Sequence, residues 1–148
     1  MGTPYTVVAG VDGSAGGRRA LRWAAAEARA RGGVVRAVIA WQAGGYEDGS
    51  LPPTPAQAKR AAIAALTREI RNLRARIGPA QPITAEAVRG PAAEVLTMSA
   101  FEADELVLGS HGNGALRHPL AGSTAAACIR RARCPVVVIP ARELAAAG

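Results

Sequence analysis

The segment YTVVAGVDGS, residues 5–14, decides how the rest of the chain is read. Its first part, Tyr5 to Val11, is apolar and rich in β-branched residues, and Asp12-Gly13-Ser14 closes it with turn formers. A continuous apolar run bounded by a turn is the pattern of a strand buried on both faces. Ser14 is placed to cap a helix from about Ala15 to Ala30, which Gly32-Gly33 ends. Val34 to Trp41 is strand-like again. Strand, helix and strand in direct succession imply a crossover, and so parallel pairing.

The alternation continues outward. Gln42 to Thr54 is a polar loop, and Thr54-Pro55-Ala56-Gln57 combines a capping box with proline at the first helical position. Ile63, Leu66, Ile70, Leu73 and Ile77 then form an apolar stripe up to Gly78-Pro79, with Arg68, Arg71 and Arg74 opposite as a solvated face. Ile83 to Val88 is a third, weaker strand. Gly90-Pro91 opens a helix through about Ala103, with Val95, Leu96 and Met98 as core candidates. Glu105 to Gly109 is a fourth strand, Ser123 to about Ala132 a fourth helix and Pro135 to Pro140 a fifth strand; a frayed tail follows from Ala141. The pattern predicts one α/β domain over residues 1–148, doubly wound and Rossmann-like, with a five-stranded parallel sheet and helices on both faces.

Composition narrows the function. Aromatic residues are only 3% of the sequence, so the core is aliphatic. The net charge of +7 comes from 17 arginines and one lysine, Lys59. These cations are spread over several helices without interleaved aromatics, which argues against a nucleic-acid surface. No apolar run reaches the roughly 20 residues of a membrane span, and the N-terminus lacks the pattern of a signal peptide. Cys128 and Cys134 form neither a disulfide framework nor a zinc pattern, and the reading is neutral thiols in a cytoplasmic protein.

The connection GSHGNGALRHPLAGST, residues 109–124, is the unusual element. Connections in α/β units usually run about 2–6 residues. A long, glycine-rich loop at the carboxyl end of a parallel strand lies where such sheets bind ligands. Gly122-Ser123-Thr124 stands at a helix start, whose unpaired N–H groups suit a phosphate. The P-loop, the dinucleotide fingerprint and the nucleophile elbow are all absent. His111 and His118 have no third ligand or spaced carboxylate beside them, so no metal site by protein ligands alone is expected. Arg117 and His118 could reach phosphates from the loop, and Trp41 could border a base.

The spacing Gly109-x2-Gly112-x9-Gly122-Ser123, with Asp12 after the first strand, resembles the ATP-binding branch of the universal stress protein family. The resemblance runs through VVAGVDGS, ALRWAAAEARARG, VIAWQ, VRGPAAEVL, ADELVLGSHG and CPVVVIP. It implies the strand order 3-2-1-4-5, with the first and fourth strands adjacent. It implies an ATP or related adenine-nucleotide site, with Asp12 and Gly13 at the ribose or a nearby Mg²⁺. The adenine would lie along the backbone near Ala40, Gly109 and Ser110 near the ribose, and the phosphates at Gly112, Gly122, Ser123 and Thr124. Ala125 departs from the hydroxyl frequent in the family two residues after the motif serine, which bears on γ-phosphate binding. The resemblance further implies a homodimer through the terminal strand, carried by Val136, Val137, Val138 and Ile139. The implied role is a stress-response regulator that binds nucleotide rather than a robust catalyst. A weak ATPase or phosphotransferase, and a nucleotide-free interaction module with an unknown protein partner, are the alternatives.

Overall fold

The computed structural model describes residues 2–44, 51–111 and 122–140. Strands β1 (Thr6–Gly10), β2 (Val34–Trp41), β3 (Ile83–Arg89), β4 (Glu105–Gly109) and β5 (Val136–Ile139) alternate with helices α1 (Ala15–Ala30), α2 (Pro55–Ile77), α3 (Ala92–Ser99) and α4 (Ser123–Arg131). The sheet is parallel throughout, in the order β3-β2-β1-β4-β5. The fold is the doubly wound α/β architecture that the sequence pattern predicts.

Side-chain alternation divides the core into two layers. Val7, Ala9 and Val11 of the first strand segment, Val35, Ala37 and Ile39 of β2, and Val107 of β4 pack under α1 and α2. Val8, Val38, Leu106 and Leu108 turn the other way, under α3 and α4 with Val95, Leu96, Ala125 and Cys128. Alanines Ala20, Ala24, Ala25 and Ala28 form the buried face of α1, which lets this helix lie close on the sheet. Burial pushes the Cys128 thiol up to about 11 and raises that of Cys134, so both stay protonated at neutral pH.

Local signals place the helix ends. Ser14 accepts the Gly17 N–H at 3.1 Å, and Thr54 and Gln57 form the reciprocal capping box. Gly32 has φ +64, where the chain leaves α1 in a left-handed conformation. Gly33 is held by space instead: a Cβ there would lie 2.1 Å from the Tyr5 carbonyl oxygen.

Four expectations need correction. Along α2 the buried positions are Ala62, Leu66, Glu69 and Leu73, while Ile63 and Ile77 are 45% and 41% exposed. The buried stripe is rotated toward Ala62 and Glu69, away from the more apolar residues. On α3, Met98 is 75% exposed, because the helix packs through Val95 and Leu96. That helix ends at Ser99 rather than near Ala103: the Phe101 N–H closes a tight turn on Met98, and Asp104 N–H already donates to Thr6 C=O beside β1. Arg74 also differs from its neighbours on the solvated face, since it donates to the Gln81 carbonyl at 3.0 Å.

Arg36 and Glu105 carry polar contacts across the strands, the first half-buried and the second buried. Arg36 donates to both oxygens of Glu86, at 2.8 and 2.9 Å, and to the Ser99 carbonyl at 2.8 Å, tying β2 to β3 and the end of α3. Its guanidinium holds the Glu86 carboxyl below the usual range. Glu105, 5% exposed at the start of β4, accepts from the Tyr5 hydroxyl and faces Glu27. Burial raises its carboxyl above the ordinary value, with Glu27 adding to the rise. A raised folded-state carboxyl contributes stability that is full below its unfolded value and is lost as pH rises through the folded one. Glu105→Gln is therefore expected to flatten the fall in unfolding free energy as pH rises above the ordinary glutamate range, measured by urea titrations at successive pH values.

Candidate functional site

β1 is the point where strand order reverses, with β2 on one side and β4 on the other. In open α/β sheets the crevice beyond the carboxyl ends at this point receives ligands. The turn after β1 fills one wall. Asp12 accepts from the Ser14 N–H at 3.0 Å and from the Ser14 hydroxyl, and Gly13 takes φ +82. Arg18, one turn into α1, donates to the Gly13 carbonyl at 3.2 Å. Asp12 is thus an exposed carboxylate held by its own turn, a geometry that fixes where its charge sits.

β4 forms the opposite wall, and it approaches α1 through glycine. A Cβ on Gly109 would lie 2.8–3.0 Å from three backbone atoms of Gly16, and one on Gly16 would lie 2.6 Å from the His111 carbonyl. A Cβ on Gly17 would lie 2.9 Å from Asp12 Oδ1. The pair Gly16-Gly17 passed unmarked in the sequence, where it reads as weak helix. Its use is close contact: the first turn of α1 lies directly on the end of β4 and behind the Asp12 carboxylate.

Beyond Gly109 the strand continues its pairing, as Ser110 N–H donates to the Ile139 carbonyl at 2.8 Å. The Ser110 side chain is buried and its Oγ lies 2.9 Å from His111 Nδ1. Gly122 N–H donates to the Ser110 carbonyl, so the two ends of the long connection meet. A Cβ on Gly122 would lie 3.0 Å from that same oxygen. Gly122 is the N-cap of α4, with no side-chain hydrogen bond and no acidic residue in the first turn. Ser123 and Thr124 open this helix, and among the described residues no side chain caps its first N–H groups. Gly112, Arg117 and His118 lie outside the described residues, as does the tail from Ala141.

β2 supplies the third side. Its pairing with β1 ends at Gly10 opposite Val38, extended by the Val11 N–H on the Val38 carbonyl. Ala40 and Trp41 run past that point and pair only with Val88 and Arg89 of β3. The edge of Ala40 that faces the crevice is therefore outside the β1 ladder. Trp41 packs on the α1–α2 layer under the Arg89 guanidinium, 5.5 Å from its ring, and its buried indole nitrogen has no partner among the described residues. No group of three metal-ligating side chains exists among the described residues, and no described helix is long and apolar enough to cross a membrane.

The model of the universal stress protein family matches residues 5–140. The chain belongs to that family. It is 29% identical over 140 residues to a universal stress protein of Mycobacterium tuberculosis, covering 93% of this chain but 48% of the relative. The chain thus spans about half the length of the curated relatives it matches. A universal stress protein solved in complex with cAMP is 27% identical, with a TM-score of 0.67 over 93% of this chain and 98% of that one. The Archaeoglobus fulgidus universal stress protein in complex with dAMP is 25% identical, with a TM-score of 0.63 over 94% and 98%.

The glycine contact is open to a direct test. Gly109→Ala and Gly16→Ala should each destabilise the protein by about 1–3 kcal/mol in urea unfolding. The Gly109 methyl would press on Gly16 and the Gly16 methyl on the His111 carbonyl, so the two sites are direct neighbours and the double variant should depart from the sum.

Proposed function

We propose that this protein binds an adenine nucleotide, ATP in the first instance, in the crevice between β1 and β4, and acts as a nucleotide-responsive stress regulator. The observation that carries the reading is the start of α4, which has no side-chain cap among the described residues and is anchored by Gly122 to the end of β4, the strand beside β1 at the switch point. A helix start with free N–H groups and no acidic residue favours phosphate oxygens. Relatives that bind cAMP and dAMP share the fold and a quarter or more of the sequence, which supports an adenine ligand.

In this reading Ser123 and Thr124 meet the phosphates with backbone N–H and hydroxyl groups, together with Gly112 from the loop. Gly109 and Ser110 line the ribose side. Asp12 and Gly13 stand at the ribose, where the carboxylate can also meet a phosphate-bound Mg²⁺, which would supply charge neutralisation. The backbone at Ala40 borders the adenine. We further propose that the described elements act as a single unit in the cytoplasm.

Ser123→Asp separates a binding role from a structural one. A carboxylate in the first turn of α4 favours the helix dipole, by about 0.3–1 kcal/mol, yet repels phosphate. The variant should keep or raise the thermal midpoint without ligand and lose the midpoint rise that ATP, ADP, AMP or cAMP gives the parent protein. A parent protein with no response to any of the four at millimolar concentration would defeat the reading and favour a nucleotide-free interaction module.

The second part of the proposal is a homodimer through β5. Among the described residues this strand pairs with β4 alone. Pro135 and Ile139 turn their carbonyls to β4, so by alternation Val136 and Val138 turn their N–H and C=O groups outward. Val137 and Ile139 pack with the α1–α2 layer and Val136 and Val138 with the α3–α4 layer. Val138→Pro deletes one outward N–H and leaves the β4 ladder intact. It is expected to shift the parent's dimer to monomer in sedimentation velocity while circular dichroism stays unchanged.

A further inference from the structure

A cavity of about 340 Å³ opens between α1 and α2, on the outer side of the layer that covers the sheet. It lies within the usual range of small-ligand pockets, about 300–1,000 Å³. Four arginines line it, Arg18, Arg19 and Arg22 from α1 and Arg76 from α2, with Asn72 and Glu69 beside them. Among the described residues one carboxylate, Glu69, lines the cavity beside these four guanidinium groups. Glu69 is 5% exposed and meets Arg18 at 3.7 Å, too long for a good charge-assisted hydrogen bond. Arg19 spends one nitrogen on the Pro140 carbonyl at 2.8 Å, and its buried Nε has no partner among the described residues. Arg22 and Arg76 make no ion pair with a described residue.

Cations this close repel one another unless an anion lies among them. A surface that keeps them spread on open helix faces needs no explanation, but these four line one concavity, and one of them buries a donor with no partner among the described residues. Guanidinium groups suit planar, bidentate recognition of phosphate or carboxylate oxygens. We infer that the α1–α2 cavity is a second anion site, which takes a small ligand carrying two or more phosphate groups. Arg22, Arg76 and the free Nε of Arg19 hold its oxygens, and Asn72 donates from the rim. Glu69 matches one of the four charges, and the positive charge left over favours a ligand whose several phosphate groups can meet more than one guanidinium at once.

The site is separate from the crevice beyond β1 and does not rest on the nucleotide reading. Arg18 links the two: its guanidinium reaches both Glu69 in the cavity and the Gly13 carbonyl in the turn after β1. An anion that draws Arg18 inward would release Gly13, and so change the Asp12 turn.

Pyrophosphate is the probe, titrated by calorimetry at fixed ionic strength against the parent protein, Arg22→Gln, Arg76→Gln and Ser123→Asp. Both arginines replaced are exposed and make no described ion pair, so folding should survive, as circular dichroism would verify. The expected result is saturable binding that persists in Ser123→Asp and weakens about tenfold in each arginine variant. Orthophosphate should bind far more weakly. Binding lost in Ser123→Asp and kept in the arginine variants would assign the probe to the start of α4 and overturn the proposal. So would equal binding in all four proteins, or none in the parent.

Discussion

The contact of Gly16 with Gly109 is the constraint on which the candidate site depends. Two backbones meet there with no side chain between them. The contact brings the first turn of α1 onto the end of β4, and with it the Asp12 turn, which Gly17 backs from behind. It also fixes the start of β4's extension, where Ser110 pairs with β5 on one side and receives Gly122 on its carbonyl. The geometry of the crevice is thus set by what is missing from three glycines, and the apolar layers on either side supply the stiffness that makes their closeness matter.

Much of this fold is legible in the sequence because each signal has one physical reading. The turn Asp12-Gly13-Ser14 ends a strand and caps a helix, and Ser14 and Thr54 cap where side-chain oxygen and spacing demand. Parallel pairing follows from the alternation of elements. The faces of α2 and α3 were less legible. Periodicity weighs hydrophobicity and cannot see that α2 turns Ala62 and Glu69 inward, because helix rotation is chosen by the shape of the sheet beneath it. The site is legible in part. The glycines of the long connection announce close approach, but Gly16-Gly17 reads as a flaw in a helix until its neighbour β4 is in place. The convergence of Arg18, Arg19, Arg22 and Arg76 is invisible for the same reason, since Arg76 stands on another helix.

Charge is distributed with the same economy as space. Three carboxylates have different settings: the half-buried Glu86 is gripped by Arg36, the buried Glu105 shares its pocket with Tyr5 and Glu27, and the buried Glu69 faces Arg18 at a distance. The first is charged by its partner and the second is pushed toward neutrality by burial. The base of the sheet and the β2–β3 edge therefore respond to pH in opposite senses.

The Arg36–Glu86 pair has one more consequence, for the two edges of the sheet. Glu86 lies on β3, an edge strand, which carries Thr84 and Arg89 as well and begins just after Pro82. Charged and proline-flanked edges resist the addition of another strand. β5, at the other edge, is four aliphatic residues. A sheet blunted on one side and, among the described residues, unpaired on the other can extend in a single direction. Growth by self-pairing then ends when two unpaired edges have met, and an endless stack of sheets has nowhere to begin its third layer.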